Sequence, residues 1–198
     1  MAISNAELIS LYGQLGIGKM PVTGGPAGNF RSSIAQTTPI EAIQNTVTPA
    51  TGTMYLASIY LNAKQTITNI NFISVAAESG GSHLWFALYD DGRGSSSAGQ
   101  LALLGQTADQ TGAAAFGSNT NLGLSLLAPY TTTYNGTYYV AFQYVGSSLT
   151  LWGNSLAGMP TSVGAFYNGI VASVSSGNAP NPSGSPATTT IGLYAYLS

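Results

Sequence analysis

Leu84-Trp85-Phe86-Ala87-Leu88-Tyr89-Asp90-Asp91-Gly92 is the stretch on which the reading of the whole chain turns. It is short, rich in large apolar and aromatic residues, and closed by an Asp-Asp-Gly cluster that suits a tight turn, which together read as a strand. Side chains of a strand point alternately to opposite sides, so Leu84, Phe86 and Leu88 share one face and Trp85, Ala87 and Tyr89 the other. The first set reads as core. The second set is expected to point outward, which makes Trp85 and Tyr89 candidates for contact with something outside the fold.

Working outward, the same texture recurs from Thr53 to the end of the sequence. Runs of strand length lie at Met54–Leu61, Thr66–Ala76, Gln100–Gln106, Leu122–Leu127, Thr137–Val145, Ser148–Leu156, Gly164–Val174 and Thr188–Leu197, with Gly, Asn, Asp, Ser and Pro between them. In Thr137–Val145, Tyr138, Val140, Phe142 and Tyr144 read as inward and Tyr139, Ala141 and Gln143 as outward. Many short strands without intervening helices predict an all-β antiparallel sandwich, and the number of runs suits a jelly-roll-like arrangement better than a seven-stranded immunoglobulin-like one. Asn178–Ala187, with Pro180, Pro182 and Pro186, reads as a loop before the last strand, flexible or used for contact.

The N-terminal part differs. Ser4–Leu15 is the credible helix, capped by Ser4 or Asn5, with Leu8, Ile9, Leu11, Tyr12 and Leu15 near helical spacing. Ile17–Gly52 is rich in Gly, Pro, Thr and Ser, apart from a short helical turn around Pro39–Gln44, and reads as an extended arm. So long an irregular stretch is unusual in a compact domain, and the arm is expected to lie on another subunit or on the sandwich itself. The division expected is 1–52 for helix and anchoring arm and 53–198 for the sandwich.

Charged residues make up 5% of the 198-residue chain, far below the roughly 25% of ordinary soluble domains. Ser, Thr, Asn, Gln and Gly must therefore solvate the surface, and neighbouring copies repel each other weakly, as suits dense assembly. Lys19, Arg31, Lys64 and Arg93 are scattered, which argues against nucleic acid as a partner. The absence of cysteine excludes disulfides, thiolate metal sites and cysteine nucleophiles. Neither a signal peptide nor a membrane span is expected, since no long apolar run occurs.

Little in the sequence invites catalysis. His83 is the one histidine and reads as a strand-edge residue, because general-base work needs an orienting partner that sequence alone does not place. Asp90-Asp91-Gly92 offers oxygen ligands for Ca²⁺ but lacks EF-hand spacing, and a plain turn is the favoured reading. Asp109 stands alone and reads as fixing a loop. Glu7, Glu41 and Glu78 are too dispersed for a glycosidase pair. Gly13, Gly16 and Gly18 lack the preceding strand of a phosphate loop. No catalytic residue, metal site or cofactor is therefore expected. The aromatic residues are the functional lead: Trp85, Tyr89 and Trp152 are the candidates for stacking on a sugar or anchoring a protein interface, the interface being favoured.

The succession Ala87-Leu88-Tyr89-Asp90, then Leu103-Leu104-Gly105-Gln106-Thr107-Ala108-Asp109, then Gly136-Thr137-Tyr138-Tyr139-Val140-Ala141-Phe142 resembles a β-sandwich module recurrent in structural proteins of tailed bacteriophages. The similarity covers roughly Met54–Gly153. It implies a virion component, such as a head decoration, a minor tail protein or a receptor-binding part, assembled in the host cytoplasm. Its implied partners are other virion proteins and copies of itself, a trimer by analogy with sandwich trimers that carry arms, and for a receptor-binding part a host surface glycan. It transfers no catalytic residue.

Overall fold

The computed structural model describes residues 34–38, 43, 45–76, 81–90, 100–110, 117–147, 149–155, 168–171, 174, 176–181, 183 and 186–198. The chain divides into two units, Met1–Ser32 and Ser33–Ser198. The helix expected at Ser4–Leu15 falls in the first and lies outside the described residues.

Ser33–Ser198 is all-β in its described residues, two antiparallel sheets packed together as expected of a sandwich. Its strands are β1 (Ala35–Gln36), β2 (Asn45–Val47), β3 (Thr53–Leu61), β4 (Thr66–Ala76), β5 (His83–Asp90), β6 (Ala102–Gln106), β7 (Asn121–Thr131), β8 (Gly136–Val145), β9 (Thr150–Ser155), β10 (Asn168–Val171), β11 (Ala187–Thr188), β12 (Ile191–Leu193) and β13 (Ala195–Leu197). One sheet runs β11-β10-β3-β8-β5-β6. The other runs β1-β13-β4-β9-β12, with β7 on β4 and β2 on β9. From β3 to β10 the chain crosses to the opposite sheet at every connection except β5 to β6. An isolated bridge between Thr107 and Leu126 joins the two sheets along one side.

The alternation read from the sequence sets the core. Leu84, Phe86 and Leu88 of β5 meet Tyr138, Val140, Phe142 and Tyr144 of β8 and Ile67, Ile70 and Phe72 of β4 between the sheets. Phe72, Phe86 and Phe142 form its centre, with ring centroids 4.7, 5.1 and 5.8 Å apart. Such pairs contribute about 0.5–1.5 kcal/mol each beyond area burial.

The arm expected over Ile17–Gly52 is used in part by the sandwich itself. Ala35–Gln36 pairs with Tyr196–Leu197, and Asn45–Val47 pairs with Leu151–Gly153. Val47 is buried in the main core. Gly52, at φ +68°, makes the turn into β3, a conformation that an L side chain adopts at a cost. The last run divides as well: β12 pairs with β9, and after Tyr194 the chain passes to β4 as β13.

Candidate functional site: two aromatic faces

Trp85 and Tyr89 lie on the face of the six-stranded sheet that points away from the main core, as alternation requires, but they do not meet solvent. Both are fully buried, in a second cluster with Met54, Leu56, Ala87, Leu101, Ala141, Val174 and Ala179. Their expected exposure is corrected for a specific reason: the chain between β10 and β11 folds back over this face.

That connection, expected as the end of a strand run to Val174 and as a flexible or contact loop from Asn178, acts as a strap, and the sheet holds its described residues largely through side chains. Gln143 Nε2 donates to the Val174 carbonyl at 2.6 Å, Trp85 Nε1 to the Ser176 carbonyl at 2.8 Å, and the Tyr89 hydroxyl to the Pro180 carbonyl at 2.8 Å. Gln106 Oε1 accepts from the Ala179 N–H at 2.9 Å. Leu101 and Ser183 bind reciprocally: the Leu101 N–H donates to Ser183 Oγ and the Ser183 N–H to the Leu101 carbonyl, both at 3.0 Å. Burial pushes the Tyr89 phenol well above its ordinary range, because a phenolate there would lose its hydration. Gln143 Oε1 is buried without a hydrogen-bond partner. A buried acceptor left unmatched costs about 1–3 kcal/mol.

Trp152 sits elsewhere, on the outer face of the seven-stranded sheet. It is half-buried on β9, opposite Thr46 of β2, and its carbonyl accepts from the Tyr194 N–H at 3.1 Å. With Ile43, Ile73 and Tyr194 it lines a groove of about 240 Å³. The three aromatic candidates therefore do not converge. Trp85 and Tyr89 share one sheet and Trp152 belongs to the other.

Next to this groove the outer face is uncharged and hydrogen-bonded within itself. Asn71 Nδ2 donates to the Tyr196 carbonyl at 3.2 Å, Ser125 Oγ to Asn69 Oδ1 at 2.8 Å, and Thr66 and Thr131 share a bond of 3.0 Å. The Asn71 amide lies over Gly123, in space that any β-carbon at that position would need. These amides and hydroxyls stitch β4 to β7 and β13. The groove consequently offers mainly ring and aliphatic surface.

A constellation that sequence reasoning missed lies at the start of β5. His83 Nδ1 and Asp109 Oδ2 are 2.6 Å apart, and Asp109 Oδ1 accepts the Leu84 N–H at 3.0 Å. Gly177 of the strap presses against the same carboxylate, so closely that a β-carbon there would collide with it. Asp109 does fix a loop, as expected, and it also gives His83 a carboxylate partner 26 positions away in sequence. Only the pairing of β5 with β6 reveals this, since the hydroxyl of Thr107, just past β6, accepts the Phe86 N–H and fixes the approach of Asp109.

Asp90, proposed with Asp91 as a turn or a Ca²⁺ ligand, is buried at the end of β5 opposite Tyr138, and Asp91–Gly94 lie outside the described residues. Among the described residues no three His, Cys, Asp or Glu side chains gather as a metal cluster, and no described helix is long and apolar enough to cross a membrane. Comparison with protein families found none that matches the chain, and comparison with curated proteins found no match.

Proposed function

We propose that the chain is a non-catalytic structural component of a tailed-phage virion, a head decoration or minor tail protein. In this reading the Ser33–Ser198 sandwich, jelly-roll-like in its alternation between sheets, is displayed at the surface. The Met1–Ser32 unit carries the attachment. The observation that carries the reading is the division of the chain at Ser32. Ala35–Gln36 and Asn45–Val47 are built into the sheets, so the anchoring role falls on fewer residues than the arm first defined. The low charge supports close packing of many copies, and the module-like succession around Ala87–Asp90 and Leu103–Asp109 supports the virion setting.

The test is to assemble particles with a chain lacking Met1–Ser32. A deletion to Gly52 would also remove β1 and β2 and confound attachment with folding. The expected outcome is a folded sandwich that is absent from purified particles. Incorporation at the full-length level overturns the anchoring role, and absence of the full-length chain from particles overturns the virion role.

The Trp152 groove favours a second reading, recognition of a host surface glycan, with Trp152 as the stacking platform. Trp85 and Tyr89 drop out of it, since the strap covers them. Trp152→Ala should abolish glycan-array binding; binding unchanged by this substitution removes Trp152 from the site.

A further inference from the structure

Asn-Gly occurs twice in the chain, at Asn135-Gly136 and at Asn168-Gly169. The dipeptide has an intramolecular reaction open to it: the backbone nitrogen of the glycine attacks the side-chain carbonyl carbon of the asparagine, and a glycine, with no β-carbon, leaves that approach clear. The two copies read alike in the sequence. The structure separates them.

Asn168-Gly169 lies inside a sheet. Gly169 is buried and pairs on both sides, with Leu56 of β3 and with Thr188 of β11, and Asn168 pairs with Ala57. The nitrogen of Gly169 is thus held in extended backbone between two neighbours, and moving it onto a side-chain carbon breaks the pairing around it. Asn135-Gly136 lies at the turn between β7 and β8. Asn135 is exposed, and Gly136 is the first residue of β8, in the last pair of the β3–β8 ladder, opposite Leu61. On its other side the β5–β8 ladder reaches only to Tyr138. The Asn135 side chain is also oriented, because Oδ1 accepts the Ala63 N–H of the β3–β4 turn at 2.6 Å. That donor sits on the oxygen that becomes negative when Cγ is attacked, the place of an oxyanion-hole donor.

We propose that Asn135 is a self-modification site, at which the Gly136 nitrogen closes on Asn135 Cγ while the Ala63 N–H stabilises the developing oxyanion, and that Asn168 is spared. In the first step the N–Cγ bond forms, the Asn135 amide nitrogen leaves as ammonia with the proton lost from the Gly136 nitrogen, and a five-membered imide remains. Water then opens the imide at either carbonyl. One product is aspartate at 135, and the other is its isomer, in which the main chain runs through the former side chain. Nothing is oxidised or reduced, and water is the co-reactant. Each event adds one carboxylate, which takes the formal net charge from −2 to −3 on a chain with 5% charged residues. The aspartate form keeps an acceptor for the Ala63 N–H, now a charged one. The isomer places an extra main-chain carbon ahead of β8 and moves Gly136 off Leu61.

The test holds the full-length chain at mildly alkaline pH, which favours the deprotonated glycine nitrogen, and maps peptides so that asparagine, aspartate and isoaspartate are separated at both positions. Conversion at Asn135 should be several-fold faster than at Asn168 in the folded chain, and the two rates should converge in urea. Equal rates in the folded chain, or no conversion at Asn135, overturn the site. Ala63→Pro removes the donor; proline suits the second position of a turn whose third residue, Lys64, has φ +66°. Conversion at Asn135 should then slow several-fold, with Asn168 still spared as the sign that the sheet is intact. An unchanged or faster rate at Asn135 overturns the role of the Ala63 N–H.

Discussion

The outer faces of the two sheets begin from the same sequence signal and end differently. Each carries an outward tryptophan on a strand, Trp85 on β5 and Trp152 on β9. Trp85 is fully buried beneath the strap and donates its indole N–H to the Ser176 carbonyl, whereas Trp152 is half-buried and lines an open groove. Alternation places a side chain on a face. Whether that face meets water depends on a segment about 90 residues further along the chain, the strap at Ser176 in the case of Trp85.

The largest expected effect comes from removing the covered ring. Trp85→Ala leaves a cavity under the strap and orphans the Ser176 carbonyl, and should cost about 3–5 kcal/mol. Trp152→Ala should cost less than about 1.5 kcal/mol, because its site opens to solvent and can collapse. Urea unfolding of both variants measures the difference, and equal losses would erase the distinction between the faces.

Next is Gly177→Val. The new side chain collides with the Asp109 carboxylate and should cost about 1–3 kcal/mol. The loss should be localised, seen as faster amide exchange across 174–183 with β8 unchanged. Uniform loosening would mean that strap and sheet fold as one unit.

A smaller effect is expected at high pH. Burial raises the phenol of Tyr89, and also those of Tyr130 and Tyr196. Below about pH 10 these groups are protonated in both folded and unfolded chains, and their contribution to stability is complete. Above it the unfolded chain releases protons that the folded chain retains, so stability falls as pH rises. Absorbance of tyrosinate should therefore include a late step, from Tyr89, that appears only with unfolding. Tyr89→Phe should cost about 1 kcal/mol at neutral pH and make the alkaline transition shallower.

The least perturbing measurement uses fluorescence. With Trp152→Phe, emission comes from Trp85 alone and should be blue-shifted and shielded from acrylamide. With Trp85→Phe, it comes from Trp152 and should be red-shifted and quenched. Identical quenching would place both rings in one environment.

The sandwich was legible because its signals are local. The strands from β3 to β9 and the inward set Leu84, Phe86, Leu88, Val140 and Phe142 follow from period-two alternation between turn residues, which needs no knowledge of partners. The site was legible only in part. Trp85, Tyr89 and Trp152 were placed on the outward side of their strands, but the covering of the first two and the groove beside the third depend on contacts distant in sequence. The His83–Asp109 pair was hidden for the same reason, since strand pairing rather than spacing brings the two together.

Sequence by itself therefore determined the fold class, the core faces of β5 and β8 and the near absence of charge, because these depend on residue type and on a two-residue period. Tertiary structure alone decided that Ala35–Gln36 and Asn45–Val47 complete a sheet, and that the Pro- and Gly-rich connection after β10 lies over one aromatic face and leaves the other open. Segments with irregular backbone carry no periodic signal. Their position is set by which donors and acceptors they meet, here Gln143, Trp85, Gln106 and Tyr89, and those partners come together only when the sheets have formed.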